Sequence, residues 1–163
     1  MKKIYVTIRV RKSDILKELT RRTSYTAMSA APGEEVKPGW SDKIIISSDE
    51  YDWCKTPMDE AFSKIRDVLF AYAANGCEGA FVDNGEDYLF RLAIESSAGS
   101  DIPLHVTKHV KEAFVSYVLS VWFSERIPEK AAYLMSQFEV LMSMIRVSLC
   151  RRKGRIRRPV SYF

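Results

Sequence analysis

The chain has 163 residues, 47% of them apolar, and a formal net charge of +4. That suffices for one hydrophobic core in a single domain of ordinary size, and no apolar run reaches the roughly 20 residues a membrane span needs. Cys54, Cys77 and Cys150 are scattered without a CxxC pair, which argues against a disulfide framework and for a reducing compartment.

Residues 4–10, "IYVTIRV", alternate apolar and polar positions, the pattern of a half-buried strand rather than of a signal-peptide core. Ser13 and Asp14 then offer a helix cap, and Ile15, Leu16 and Leu19 mark a short apolar stripe. Residues 24–42 hold two Pro and two Gly among small polar residues and predict an extended loop. Trp40 within it is expected to dock on a partner, because an indole contributes much contact area. "KIIISS", residues 43–48, suits either a short strand or a helix lead-in. Ser48 and Asp49 supply caps for a helix beginning near Glu50, and Pro57, with Asp59 after it, predicts a second start. Ala61, Phe62, Ile65, Val68, Leu69 and Tyr72 keep helical spacing up to a stop at Asn75 and Gly76.

Asn84 and Gly85 form a strong hairpin signal, and the flanking acids predict a turn longer than two residues. Tyr88, Phe90, Leu92 and Ile94 alternate with less apolar neighbours, a strand with one dry face. Two long helices follow. The first is predicted over about 107–127, with Val110, Phe114, Tyr117, Val118, Val121 and Trp122 on one side; Pro128 ends it and begins the next. The second carries Leu134, Met135, Phe138, Leu141, Met142, Ile145 and Leu149 and stops near Gly154, while Met144 falls off the stripe and reads as a surface contact. The predicted fold class is mainly α. A bundle of three to four helices carries a small β-hairpin or strand element, an extended loop over 24–42 and a C-terminal arm over 151–163. One domain spans 1–163, with the helical body over about 48–152.

The sequence offers no credible active site, metal site or cofactor site. His105, His109 and Glu112 share helical spacing, but Pro103 places His105 at or before the helix start, and a metal needs further strong ligands. Asp83, Glu86 and Asp87 do not match the spacing of a calcium loop. Cys77 follows a helix end, where carbonyls would not lower its pKa.

The ends carry the signal instead. Residues 1–22 hold eight Lys or Arg against two acids, and residues 151–163 hold six against none, while the middle holds eleven cations against nineteen acids. Such asymmetry suits nucleic acid, or the joining of one copy's ends to the body of the next. In "RRKGRIRRPVSYF" the helix dipole accounts for Arg151, Arg152 and Lys153 but not for Arg155, Arg157 and Arg158, which lie past Gly154. Cations followed by Pro159, Val160, Tyr162 and Phe163 suit an extended peptide laid into a protein groove.

"TSYTAMS" after a short N-terminal helix, "SYVLSVWFS" on a long helix and the basic tail "RRKGRIRRP" together resemble small structural proteins encoded among the head and tail genes of tailed phages and prophages of gut Bacteroidales. More loosely, the chain is similar to phage head–tail connector (adaptor) proteins. The longer Pro/Gly loop at 30–40 and the extended hairpin at 85–102 depart from that pattern. The resemblance implies a helical ring subunit without catalysis or cofactor, set in the particle neck between portal and tail after assembly in the host cytoplasm. It implies homo-oligomeric contacts, contacts with portal or tail proteins, a channel wall that meets packaged DNA without sequence preference, and no membrane. Trp40, Arg151, Arg152, Lys153, Arg155, Arg157, Arg158, Pro159, Tyr162 and Phe163 are the expected partner-binding residues. The alternative expectation is a small nucleic-acid-binding protein that uses its basic termini.

Overall fold

The computed structural model describes residues 3–29, 39–74, 79–95 and 102–150. Strand β1 (Lys3–Arg11) runs directly into α1 (Lys12–Met28). Helix α2 (Trp40–Ile44) and a 3₁₀ turn (Ser48–Glu50) lead into α3 (Tyr51–Leu69), which closes in another 3₁₀ turn (Phe70–Tyr72). A hairpin of β2 (Phe81–Asp83) and β3 (Asp87–Glu95) precedes α4 (Ile102–Phe123) and α5 (Pro128–Cys150). The protein is mainly α with a small antiparallel sheet, as the periodicities predict.

In the sheet β3 is central, in the order β1-β3-β2. The first strand pairs with β3 along its whole length, from Lys3↔Glu95 to Arg11↔Asp87. Period two then sorts the side chains: Ile8, Val10, Tyr88, Phe90 and Leu92 are buried against the helices, while Lys3, Tyr5, Arg11 and Arg91 face outward. The hairpin turn is tighter than predicted. Asn84 N–H donates to the Asp87 carbonyl at 3.1 Å, leaving only Gly85 and Glu86 at the tip, with Gly85 at φ +89°. The polar residues satisfy the turn's amides instead of lengthening it: Asn84 Oδ1 accepts from Glu86 and Asp87 N–H, and Asp83 Oδ1 from Gly85 N–H.

Helix α4 runs through the middle, packed by α3, α5, α1 and β1. At its heart Tyr88 stacks between Phe62 and Phe114 with ring centroids 4.9 Å apart on either side, joining α3, β3 and α4 in one aromatic column. The Tyr88 hydroxyl donates to Asp59 Oδ1 at 2.7 Å, which satisfies the one polar atom of the stack.

Four expectations need correction. The loop over 24–42 is eroded from both sides, because 24–28 extend α1 and 40–42 lie in α2. Ser24 and Thr26 hydroxyls donate to the carbonyls four residues back, and burial of Thr23 and Ala27 holds the last turns in helix despite weak propensity. Pro57 does not restart a helix; it lies buried inside continuous α3, removing only the one bond its nitrogen would donate. The capping box belongs to the 3₁₀ turn Ser48–Glu50 that leads into α3, where Ser47 N–H donates to the Glu50 carboxylate at 2.8 Å. Helix α4 begins at Ile102 rather than near 107, since Pro103 fits a first turn, and it ends at Phe123. Met135, placed on the core stripe by spacing, is exposed, whereas Met142 packs against the core.

Candidate interaction surfaces

The N-terminal cations find partners within the chain. Arg9 Nε donates to Asp87 at 2.6 Å, Lys12 Nζ to Asp83 at 2.8 Å, and Arg22 forks onto Glu112 of α4 at 2.6 and 2.8 Å. Arg21 and Arg22 also hold Glu18; the hydrogen bond from Arg21 leads in lowering its carboxyl to about 2. Burial works against the Asp83 carboxylate, but the bonds from Lys12 and Gly85 outweigh it and its pKa falls. The acidic middle thus answers much of the basic N-terminal end in place. Lys3, Arg11 and Arg91 remain on the outer sheet face beside Tyr5, which is 66% exposed.

Trp40 opens α2 after Gly39, whose φ of +82° turns the chain into the helix. Its ring is half-buried against the protein's own core. The α2 segment is held from two sides. Thr23 Oγ1 accepts from Ile46 N–H at 3.0 Å, and Trp122 Nε1 donates to the Ile44 carbonyl at 2.8 Å. Arg126 stacks 3.7 Å over the Trp122 ring and donates to the Lys43 carbonyl. Arg151, Arg152, Lys153, Arg155, Arg157, Arg158, Pro159, Tyr162 and Phe163 lie outside the described residues, as do Cys77, Asn75 and Gly76.

The residues with chemical potential are engaged elsewhere. His105 and His109 are both helical, but Glu112 is occupied by Arg22. His109 Nδ1 has no hydrogen-bond partner among the described residues, and burial, aided by His105 and Lys108, lowers its pKa. No group of three or more His, Cys, Asp or Glu among the described residues is placed to hold a metal ion. Burial pushes the Cys54 thiol up to about 11, which suppresses the reactive thiolate. Cys150 Sγ sits 2.8 Å from the Tyr72 hydroxyl, a bond that raises the phenol to about 12. No helix among the described residues is long and apolar enough to cross a membrane.

The feature that spacing alone did not single out is the outer face of α5. Leu134, Phe138, Ile145 and Leu149 are buried, yet Tyr133, Val140, Met144 and Val147 on the far side stay 61%, 53%, 46% and 66% exposed. Of these only Met144 was expected as a surface contact. Two adjoining hollows, of about 520 and 370 Å³, share Ser136, Val140 and Met144 as lining and reach His109 and Glu112 of α4. A row of open apolar side chains beside shallow hollows is a surface shaped to receive another element. The signal for it was present in the sequence as a second apolar row on one helix.

No family model matches the chain, and neither a curated protein nor a solved structure does.

Proposed function

We propose that the protein is a non-enzymatic virion structural protein, a head–tail connector or head-completion ring subunit that bridges portal and tail in the phage neck. The observation that carries the reading is the open apolar face of α5, which leads directly into the basic, aromatic-tipped segment 151–163. A body closed by its own aromatic column, with one helix face left over and a charged segment after it, suits a subunit whose contacts lie on neighbours. The order of elements supports the same reading through the resemblance to connector proteins. The helices form the ring wall, 151–163 reaches an adjacent subunit or a portal or tail protein, and packaged DNA passes without sequence-specific contact. Electron micrographs of the purified chain test this. Rings are expected for the full chain and are lost on deletion of 151–163, while the truncated protein still melts cooperatively. A chain that forms no ring and binds no portal or tail protein at high concentration overturns the proposal.

A second reading, a small nucleic-acid-binding protein, is favoured by Lys3, Tyr5, Arg11 and Arg91 on the open sheet face. It predicts a steep salt dependence of DNA binding that flattens when Arg11 and Arg91 become Ala.

A further inference from the structure

We propose that the open edge of β1 receives an added strand, an extended acidic segment of another protein in which Asp or Glu alternates with apolar residues. In the order β1-β3-β2 the long strand β1 lies at the margin of the sheet, with β3 on one side only. Lys12 N–H donates to the Glu86 carbonyl at 2.9 Å, which extends the β1–β3 register by one bonded pair. Bonded and unbonded pairs alternate in an antiparallel ladder, so Ile4, Val6, Ile8 and Val10 bond to β3. Lys3, Tyr5, Thr7 and Arg9 then turn their N–H and C=O groups the other way, toward the margin. The far side of β3 agrees. Arg91 N–H reaches the Ala80 carbonyl at 2.7 Å and Asn84 N–H the Asp87 carbonyl at 3.1 Å, so the odd-numbered residues of β3 serve β2 and leave the even-numbered ones for β1. Among the described residues no hydrogen bond satisfies the main-chain groups of Tyr5, Thr7 and Arg9.

The side chains select the occupant. Lys3, Tyr5, Thr7, Arg9 and Arg11 all stand exposed on the outer face, and the strand holds three cations and no acid. Arg9 is met by Asp87, whereas Arg11 is in no ion pair among the described residues. A strand bonded along the margin sets every second side chain directly beside these, where opposite charges attract and like charges repel. Its other side chains fall on the inner face and cover Ile4, which is 48% exposed, and Val6, which is only partly buried. Acid on one set of alternate positions and apolar on the other is therefore the pattern that fits. A second copy of β1 fits poorly, since full-length antiparallel pairing opposes Lys3 to Arg11 at both ends. The basic segment 151–163 is disfavoured on the same ground. Nucleic acid answers the cations but carries no ladder of amides and carbonyls for the main chain. The proposal rests on neither function given above.

The probe is a peptide of alternating Glu and Val, nine residues long to match β1, titrated into the full chain while amide hydrogen exchange is followed by NMR. A dissociation constant on the order of 100 μM is expected, with exchange slowed at Tyr5, Thr7 and Arg9. Thr7→Pro removes an N–H only at the margin, where proline leaves the β3 ladder intact, and weakens binding at least about tenfold while the thermal melt stays near that of wild type. Arg11→Glu weakens it several-fold, and it tests the charge even if Thr7→Pro fails to fold. Absence of binding near millimolar peptide overturns the proposal. So does binding that leaves exchange unchanged at all three amides; if a deoxythymidine oligomer then binds more tightly than the peptide, the cations serve nucleic acid instead.

Discussion

Helices α4 and α5 have nearly equal length, 22 and 23 residues, and pack along each other, yet thirteen residues of α4 are buried against five of α5. The eight consecutive positions from Ala113 to Ser120 are all enclosed, so α4 has no outer side over that stretch, although Leu104, His105 and Lys108 in its first turns are exposed. Helix α5 uses one stripe for the core and keeps a second apolar row in the open. Two helices of similar apolar content therefore play different parts, and the number of neighbours decides which. The first organises the fold; the second is divided between fold and surface.

The sharpest way to break that contrast is Phe114→Ala. It removes the α4 ring of the aromatic column and is expected to cost about 3–5 kcal/mol in denaturant unfolding, against less than about 0.5 kcal/mol for Val140→Lys on α5. Equal losses would mean that the two helices carry the fold alike. A smaller effect comes from the electrostatic tie between α4 and α1, where Arg22 bridges Glu112 and Glu18. Because the folded-state pKa of Glu18 lies near 2, below its usual 4.5, its contribution is complete above about pH 4.5 and is lost as pH falls through 2. Solvent screens the pair, so about 1 kcal/mol is expected, seen as an acid limb in stability that Glu18→Gln flattens. The smallest effect sharpens the contrast from the opposite direction. Ser116 Oγ is buried in α4 with no partner among the described residues, and Ser116→Ala should stabilise by roughly 0.5–1 kcal/mol in the same melts.

Local patterns in the sequence were reliable guides where the fold is local. The α3 stripe, the dry face of β3 and the position, though not the length, of the turn at Asn84 and Gly85 follow from spacing and turn chemistry alone. The β1–β3 pairing was not legible, because it joins Arg11 to Asp87, 76 positions later, and alternation identifies a strand without identifying its mate. The end of α1 was hidden because Ser24 and Thr26 favour turns until neighbouring burial and backbone-directed hydroxyls override that preference. Enclosure of α4 on all sides over residues 113–120 was hidden for a related reason: periodicity reports one apolar side, and Ala113, Ser116 and Ser120 on the others are small or polar. For the candidate surface, Met144 was readable as an outward contact, whereas Tyr133, Val140 and Val147 required knowing which apolar row α4 and α3 would cover. The basic N-terminus was visible as charge, but its neutralisation by Asp83, Asp87 and Glu112 depended on the fold.

The long reach of the first strand also shapes how the chain is made. During synthesis β1 emerges before β3 and must wait, with its hydrogen-bonding groups open to any passing strand, until β3 has left the ribosome. Arg9 breaks its apolar run and Lys3 and Arg11 close its two ends, and such cations on an exposed strand discourage intermolecular pairing. The same residues therefore guard the nascent polypeptide before Arg9 finds Asp87.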